Sequence, residues 1–340
     1  TMPGLSGIVS TTELRDPREL ISRMTRVQVM PESNFVAHEY FDERCAILNL
    51  STEFLAEPGR QLASDDKISL FLEGEIFQIA GREPKSSEAT AEMLLGRYKD
   101  HPDSFINELN GEFTIAVYER VAARLILFSD HISSKPIFYW CGGGQFIFGA
   151  EKKSLLTVLN RSMAVDRVGL LQLFTHRYNI GDRTLIEGVK RLGPGSRLIF
   201  QRGKLSITRW GSLRFGADKS RSFAEAVEGA AEHLKAAVLR RLIPDRRLVL
   251  TLSGGLDSRA MVCAIPRDAR PLPVITWGAE GSREMAITKQ VAERCDFDLI
   301  CTDPAAVPLS SIAPLAAWRT EGEVSLRHTM SVTNHSAIRR

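Results

Sequence analysis

Two different spacings of apolar positions divide the chain. From Gly4 to about Ile207 the apolar residues come in short runs of strand length. Phe113–Tyr118 and Leu125–Phe128, separated by the polar segment Glu119–Arg124, predict a hairpin, and Phe146–Phe148 and Arg197–Phe200 predict further strands. Helical spacing interrupts them at Glu92–Tyr98 and again at Val168–Phe174. Strands that follow one another with so few helices between them predict an α+β body with antiparallel sheets.

After Trp210 the pattern changes. Ala217-Asp218-Lys219-Ser220-Arg221 reads as a linker, and Ser222 followed by Glu225 predicts a capping box opening a helix to about Leu242, with Phe223, Val227, Ala230, Leu234 and Val238 on one face. A strand over Arg247–Leu252, a helix from Ser258, a strand over Leu272–Trp277, a helix near Glu284–Cys295 and a strand at Asp298–Cys301 follow in alternation. That alternation predicts an α/β doubly wound parallel sheet. The expected boundaries are one domain over 1–210, a linker over 211–221 and a second domain over 222–340.

Composition adds few constraints. A length of 340 residues suits two domains, and 44% hydrophobic with 25% charged residues is ordinary for a globular protein. The net charge of +3 is small and the basic residues are scattered, which argues against a nucleic-acid partner. Five cysteines at irregular spacing, with no C-x-x-C pair, predict reduced thiols in a cytoplasmic protein rather than a disulfide framework or a zinc site. No apolar run reaches the ~18 residues of a membrane span, and the N-terminus lacks a signal-peptide layout. His233, beside Glu232 on the long helix, reads as solvated, and His328 with His335 lack a third ligand for a metal.

The chemistry gathers at Leu250–Val262, "LTLSGGLDSRAMV", which reads as strand, tight turn and helix. At the carboxyl end of a parallel strand such a turn faces the ligand side of the sheet. Gly254 and Gly255 let backbone amides and a helix N-terminus approach an anion, and Ser253 and Ser258 add hydroxyl donors. Asp257 would repel a phosphate unless a cation such as Mg²⁺ lies between them. A plain turn, with Asp257 as a simple helix cap, is the competing reading. Neither a Gly-Lys-Ser/Thr loop nor G-x-G-x-x-G is present. Trp277 closes the second parallel strand, where ordinary packing between domains is one reading of its ring.

The run S-G-G-L-D-S resembles the pyrophosphate loop of the ATP pyrophosphatases. Within them the chain is similar to the asparagine synthetase family over nearly its whole length. "MPGLSGIV" (2–9) resembles the family's M-C-G-I-A-G-I-V, and "LEGEIF" (72–77) its N-G-E-I-Y. "LNGEFTIAVYE" (109–119) resembles L-N-G-x-F-A-F-A, "SDHISSKPIFY" (129–139) resembles R-D-x-x-G-x-K-P-L-Y-Y, and "GVKRLGPGSRL" (188–198) with Arg209-Trp210 resembles the bridge into the synthetase half.

The resemblance implies an N-terminal-nucleophile hydrolase-like glutamine amidotransferase domain and an incomplete adenine nucleotide α-hydrolase-like domain. It implies that Ser253, Gly254, Gly255, Asp257 and Ser258 hold the pyrophosphate of ATP, that Asp257 meets Mg²⁺, and that Leu252 and Trp277 meet the adenine. Arg44, Gly74 and Glu75 match the family's glutamine pocket. The reaction implied is adenylation of a carboxylate, by default aspartate, with amide formation and release of AMP and pyrophosphate. The implied partners are small-molecule or peptide carboxylates and amines, and association into a homo-oligomer stays open.

The sequence also departs from the family. The nucleophilic cysteine is replaced by Pro3, so no catalytic residue is assigned to the glutaminase. Thr1, before the initiator-like Met2, is read as an added residue rather than a threonine nucleophile. The oxyanion-binding asparagine is replaced by Glu73, and the acidic residue expected near Thr90 is missing. The S/T-G-x-G-x-D-E loop that follows in relatives does not occur before Arg340, so the chain is expected to be the first part of a longer reading frame. Loss of the cysteine also fits β-lactam synthetases and lasso-peptide cyclases, whose amine belongs to the substrate, and Arg259 favours such a specialised relative. A truncated, non-catalytic paralogue serving as an interaction module is the reading from another class.

Overall fold

The computed structural model describes residues 4–29, 35–52, 61–82, 84, 90–159, 162–216, 219–242, 248–303 and 309–323. The chain divides into two compact units, 1–214 and 215–340.

The first unit begins with β1 (Leu5–Ser10), α1 (Pro17–Arg26), β2 (Phe35–Phe41), β3 (Cys45–Thr52), β4 (Leu62–Ser64), β5 (Ile68–Ile79) and α2 (Thr90–Asp100). It continues with β6 (Leu109–Glu119), β7 (Arg124–Ser129), β8 (Phe138–Gly142), β9 (Gln145–Gly149), α3 (Lys152–Leu156), α4 (Arg167–His176), β10 (Lys190–Arg191), β11 (Ser196–Gln201) and β12 (Lys204–Arg209). The strands form two six-stranded sheets, ordered β10-β8-β9-β1-β3-β2 and β12-β11-β7-β6-β5-β4. All their named pairings are antiparallel, as the sequence predicts.

Three clusters of buried side chains show how the layers stack. Leu5, Ile47, Phe146 and Phe148 of the first sheet share a core with Phe71, Tyr118, Leu127 and Phe200 of the second. On the outer face of the first sheet, Ile8, Leu48 and Ile147 pack against Ile21 and Met24 of α1 and Leu155 of α3. On the outer face of the second, Leu70, Ile115 and Ile126 pack against Leu94 and Tyr98 of α2. The unit is therefore a four-layer helix–sheet–sheet–helix body, the arrangement the N-terminal-nucleophile reading implies. The expected hairpin is β6–β7, closed by Glu119 opposite Arg124 with an ion pair of 2.7 Å.

The second unit contains α5 (Phe223–Arg241), β13 (Leu250–Thr251), α6 (Leu256–Ala264), β14 (Pro273–Trp277), α7 (Arg283–Cys295), β15 (Asp298–Thr302) and α8 (Leu309–Thr320). β13, β14 and β15 are adjacent and parallel. Val238, Leu252, Val262, Val274, Ala292 and Phe297 form the core. The predicted capping box at Ser222 and Glu225 is present.

Two expectations are corrected. The strand expected over Arg247–Leu252 is a ladder of only Leu250–Thr251, extended by the Leu252 N–H donating to the Ile275 carbonyl at 2.9 Å; Arg247 lies outside the described residues. The face of α5 expected to be apolar and packed is buried only at Val238, because α5 meets the core near its C-terminal turn, and Phe223 is 85% exposed. His233 is exposed, and His328 and His335 lie outside the described residues. All five cysteines are free. Among the described residues no helix is long and apolar enough to cross a membrane.

Candidate functional site

The S-G-G-L-D-S segment stands at the carboxyl ends of the parallel strands. Leu252 is buried beneath it, Ser253–Gly255 form the turn, and α6 begins at Leu256. The register that pairs Thr251 with Ile275 brings Trp277, 40% exposed, to the same end of the neighbouring strand. All the residues expected to meet pyrophosphate or adenine therefore belong to this one edge of the sheet.

The two serines shape the loop from inside. The Ser258 hydroxyl accepts the Ser253 N–H at 3.1 Å, donates to the Ser253 carbonyl at 2.9 Å and lies 2.9 Å from the Ser253 hydroxyl. The Ser253 hydroxyl in turn accepts the Gly255 N–H at 3.2 Å. The hydroxyls expected to donate to a ligand thus also tie the turn to the helix.

The N-cap of α6 is Gly255, which offers no side chain, so the first-turn amides keep their positive end for an anion. Asp257 is exposed and sits inside the first turn. The cap reading of Asp257 is thereby overturned: the carboxylate is displaced by two residues from the capping position. These features fit a polyphosphate. A magnesium ion needs only one or two carboxylates, with phosphate oxygens and water supplying the rest. Asp257 suits that role, and no group of three or more His, Cys, Asp or Glu residues suited to a metal occurs among the described residues.

The residues matched to a glutamine pocket have a different fate. Thr1 and Pro3 lie outside the described residues; Gly4, next in the chain, is described. Glu73, on β5, is 7% exposed, and its carboxylate accepts the Leu5 N–H at 2.9 Å. A Cβ on Gly4 would lie 2.5 Å from that carboxylate, so Glu73 fills the space against the backbone following position 3. Burial pushes its carboxyl up to about 7, against the pull of the Leu5 N–H and the Lys135 charge.

Gly74 has φ +97°, and a Cβ there would lie 2.0 Å from the Glu112 carbonyl oxygen across the β5–β6 ladder. That close approach accounts for this glycine without any ligand. Glu75, half-buried, faces Glu112 in the register. Arg44 is exposed. Its backbone lies beside Ser10, whose N–H donates to the Arg44 carbonyl at 2.8 Å. Leu5 is opposite Asn49, so the Arg44 backbone stands about 16 Å along the strand from the Glu73 contact. The structure does not bring the backbone of Arg44 to Glu73 and Gly4. Thr90, where the acid is missing, opens α2 and is buried.

Sequence reasoning overlooked two residues. Asp130, inside the "SDHISSKPIFY" motif, is buried and accepts the N–H groups of Phe113 at 3.0 Å and Ile132 at 2.8 Å, so the motif is a structural joint. Glu284, in the first turn of α7, contacts the space beside Gly254. The Ser282 helix start one residue before α7 was the local signal that could have placed it.

A model of the glutamine amidotransferase domain family matches residues 36–211, and one described as asparagine synthase matches residues 229–332. Asparagine synthetase [glutamine-hydrolyzing] 3 of Bacillus subtilis is 32% identical over 171 residues, covering 50% of this chain and 28% of that protein. Amidase chyE of Penicillium rubens is 26% identical over 286 residues, covering 76% of this chain and 42% of that protein. A putative asparagine synthetase [glutamine-hydrolyzing] of Mycobacterium bovis is 25% identical over 252 residues, covering 71% and 38% respectively. The chain thus spans less than half the length of these curated relatives. With an amidotransferase-type body followed by a synthase-type parallel sheet, the chain belongs to the asparagine synthetase family.

Proposed function

We propose that residues 222–340 are the first part of an ATP-pyrophosphatase domain that binds Mg-ATP at Ser253–Ser258, and that the full-length protein is a ligase forming a C–N bond through an adenylated carboxylate. The observation that carries this reading is the S-G-G-L-D-S turn at the carboxyl end of a parallel strand, opening a helix whose first turn has no side-chain cap. Magnesium held there would neutralise charge on the phosphates. Asp257 would orient it, the amides of the turn and of α6 would hold phosphate oxygens, and Leu252 and Trp277 would meet the base. Aspartate is the default carboxylate.

Residues 1–210 are the amidotransferase-type domain in this reading, without glutaminase activity. Pro3 supplies no nucleophile, and Glu73 fills the space beside Gly4 with a carboxyl group that ionises above about pH 7, where the family has a neutral amide. The amine then comes from ammonium or from the substrate itself. An amine within the substrate, as in β-lactam synthetases and lasso-peptide cyclases, is the second reading, and Arg259 after S-G-G-L-D-S favours it.

Analysis of the nucleotide products of the full-length protein tests the proposal. ATP should yield AMP and pyrophosphate in the presence of a carboxylate and an amine. ADP and phosphate as main products would refute the adenylation chemistry.

A further inference from the structure

Gly254 is a glycine for a reason outside its own loop. Its φ is not in the left-handed region, so backbone conformation does not require it. Instead, a Cβ at Gly254 would lie 3.0 Å from Glu284 Cγ, 3.1 Å from the Glu284 carbonyl oxygen and 3.2 Å from Glu284 Cα. Two of those three atoms are backbone, and the turn that carries them is anchored. Ser282 caps α7 by accepting the Met285 N–H at 3.2 Å, Met285 is buried, and the buried Thr288 donates its hydroxyl to the Glu284 carbonyl at 2.9 Å. The first turn of α7 is a fixed wall against which the glycine turn rests.

The same contact sets the Glu284 side chain beside the turn. Its Cγ is the nearest of the three atoms, and the carboxyl group is one bond further on. The residue is exposed, and its carboxylate has no ion pair among the described residues. Asp257 in α6 and Glu284 in α7 thus place two negative charges around one anion-facing turn. A bare polyphosphate meets repulsion from both, whereas one carrying a divalent cation does not.

We propose that Glu284 is a positioning residue of this turn: its backbone sets where Ser253–Gly255 stand, and its carboxylate restricts the turn to the cation complex of a polyphosphate. This rests on the reading of the turn as a nucleotide site. Binding of ATP to the full-length protein, with excess Mg²⁺ and with EDTA, measured by calorimetry on the wild type, Glu284→Gln, Glu284→Asp and Gly254→Ala, separates the two ideas.

The wild type should prefer Mg-ATP. Glu284→Gln should narrow that preference by roughly fivefold or more, mainly by strengthening metal-free binding. Glu284→Asp should keep the wild-type preference. Gly254→Ala should weaken both forms, since the turn must leave the α7 wall. An unchanged preference in Glu284→Gln overturns this assignment and leaves the nucleotide reading standing. A wild type that binds neither form overturns both. Glu284→Gln is exposed and isosteric, so the decisive comparison does not depend on the Gly254 variant folding.

Discussion

Glu73 retains its proton up to about pH 7 because burial penalises the carboxylate more than the Leu5 N–H and Lys135 stabilise it. In the unfolded chain the same group titrates near 4.5. The folded form therefore binds more protons between these values. Its contribution is complete below pH 4.5 and is lost as pH rises through 7. The loss is about 3 kcal/mol at most. Glu73→Gln keeps an oxygen to accept the Leu5 N–H and removes the titration. Denaturant midpoints measured from pH 4.5 to 8 should fall with rising pH in the wild type and stay flatter in Glu73→Gln, with the variant the more stable at pH 8. Parallel curves would show that Glu73 is not the group responsible. Asp257→Asn separates metal binding from helix stability at the other site. Without a capping role to lose, its melting temperature should stay close to wild type, while Mg-ATP binding weakens by about tenfold or more. An equal Mg-ATP-induced rise in melting temperature for both proteins would leave Asp257 without that function.

At the scale of elements, the paired strands β5 and β6 approach closely at two glycines. A Cβ on Gly74 would meet the Glu112 carbonyl, and one on Gly111 would lie 2.3 Å from the Glu75 carbonyl, beside the bulge between Ile76 and Gln78. Gly74→Ala should cost about 2 kcal/mol or more, combining a positive φ with a backbone clash. Thermal unfolding of the chain checks it, and a loss below ~0.5 kcal/mol would mean the ladder can shift aside. This element-level fit explains what could be read in advance. The strand–turn–helix around Ser253 was legible because its signals are adjacent: a short apolar run, two glycines and a helix-forming segment. The β6–β7 hairpin was legible for the same reason. The Glu73–Leu5 contact joins residues 68 apart, and no local pattern encodes it. Nor did spacing show that Phe113–Tyr118 is buried on both faces, since that follows from lying between α2 and the other sheet. The apolar face of α5 was legible as a pattern, but a pattern does not state how much of it meets a core.

At the scale of the whole molecule, the two units have kept different things. The first keeps the layered body, including the Asp130 joint, while the positions that the resemblance matches to a nucleophile and an oxyanion donor hold Pro3 and Glu73. The second keeps the turn and helix start that suit a polyphosphate. The proposed reaction of the full-length protein should therefore depend on ammonium or a substrate amine and ignore glutamine. With ATP, Mg²⁺ and a competent carboxylate, AMP formation should rise with added amine, and glutamine should release no glutamate above a buffer blank. Assayed at pH 8, Pro3→Cys alone should not restore hydrolysis, because Glu73 still fills the space against Gly4 and, ionised above about pH 7, opposes negative charge developing on a bound amide. Pro3→Cys combined with Glu73→Asn is the smallest change that supplies both a nucleophile and a neutral donor. Glutamate release by the single Pro3→Cys variant, equal to that of the double variant, would show that Glu73 does not obstruct the site.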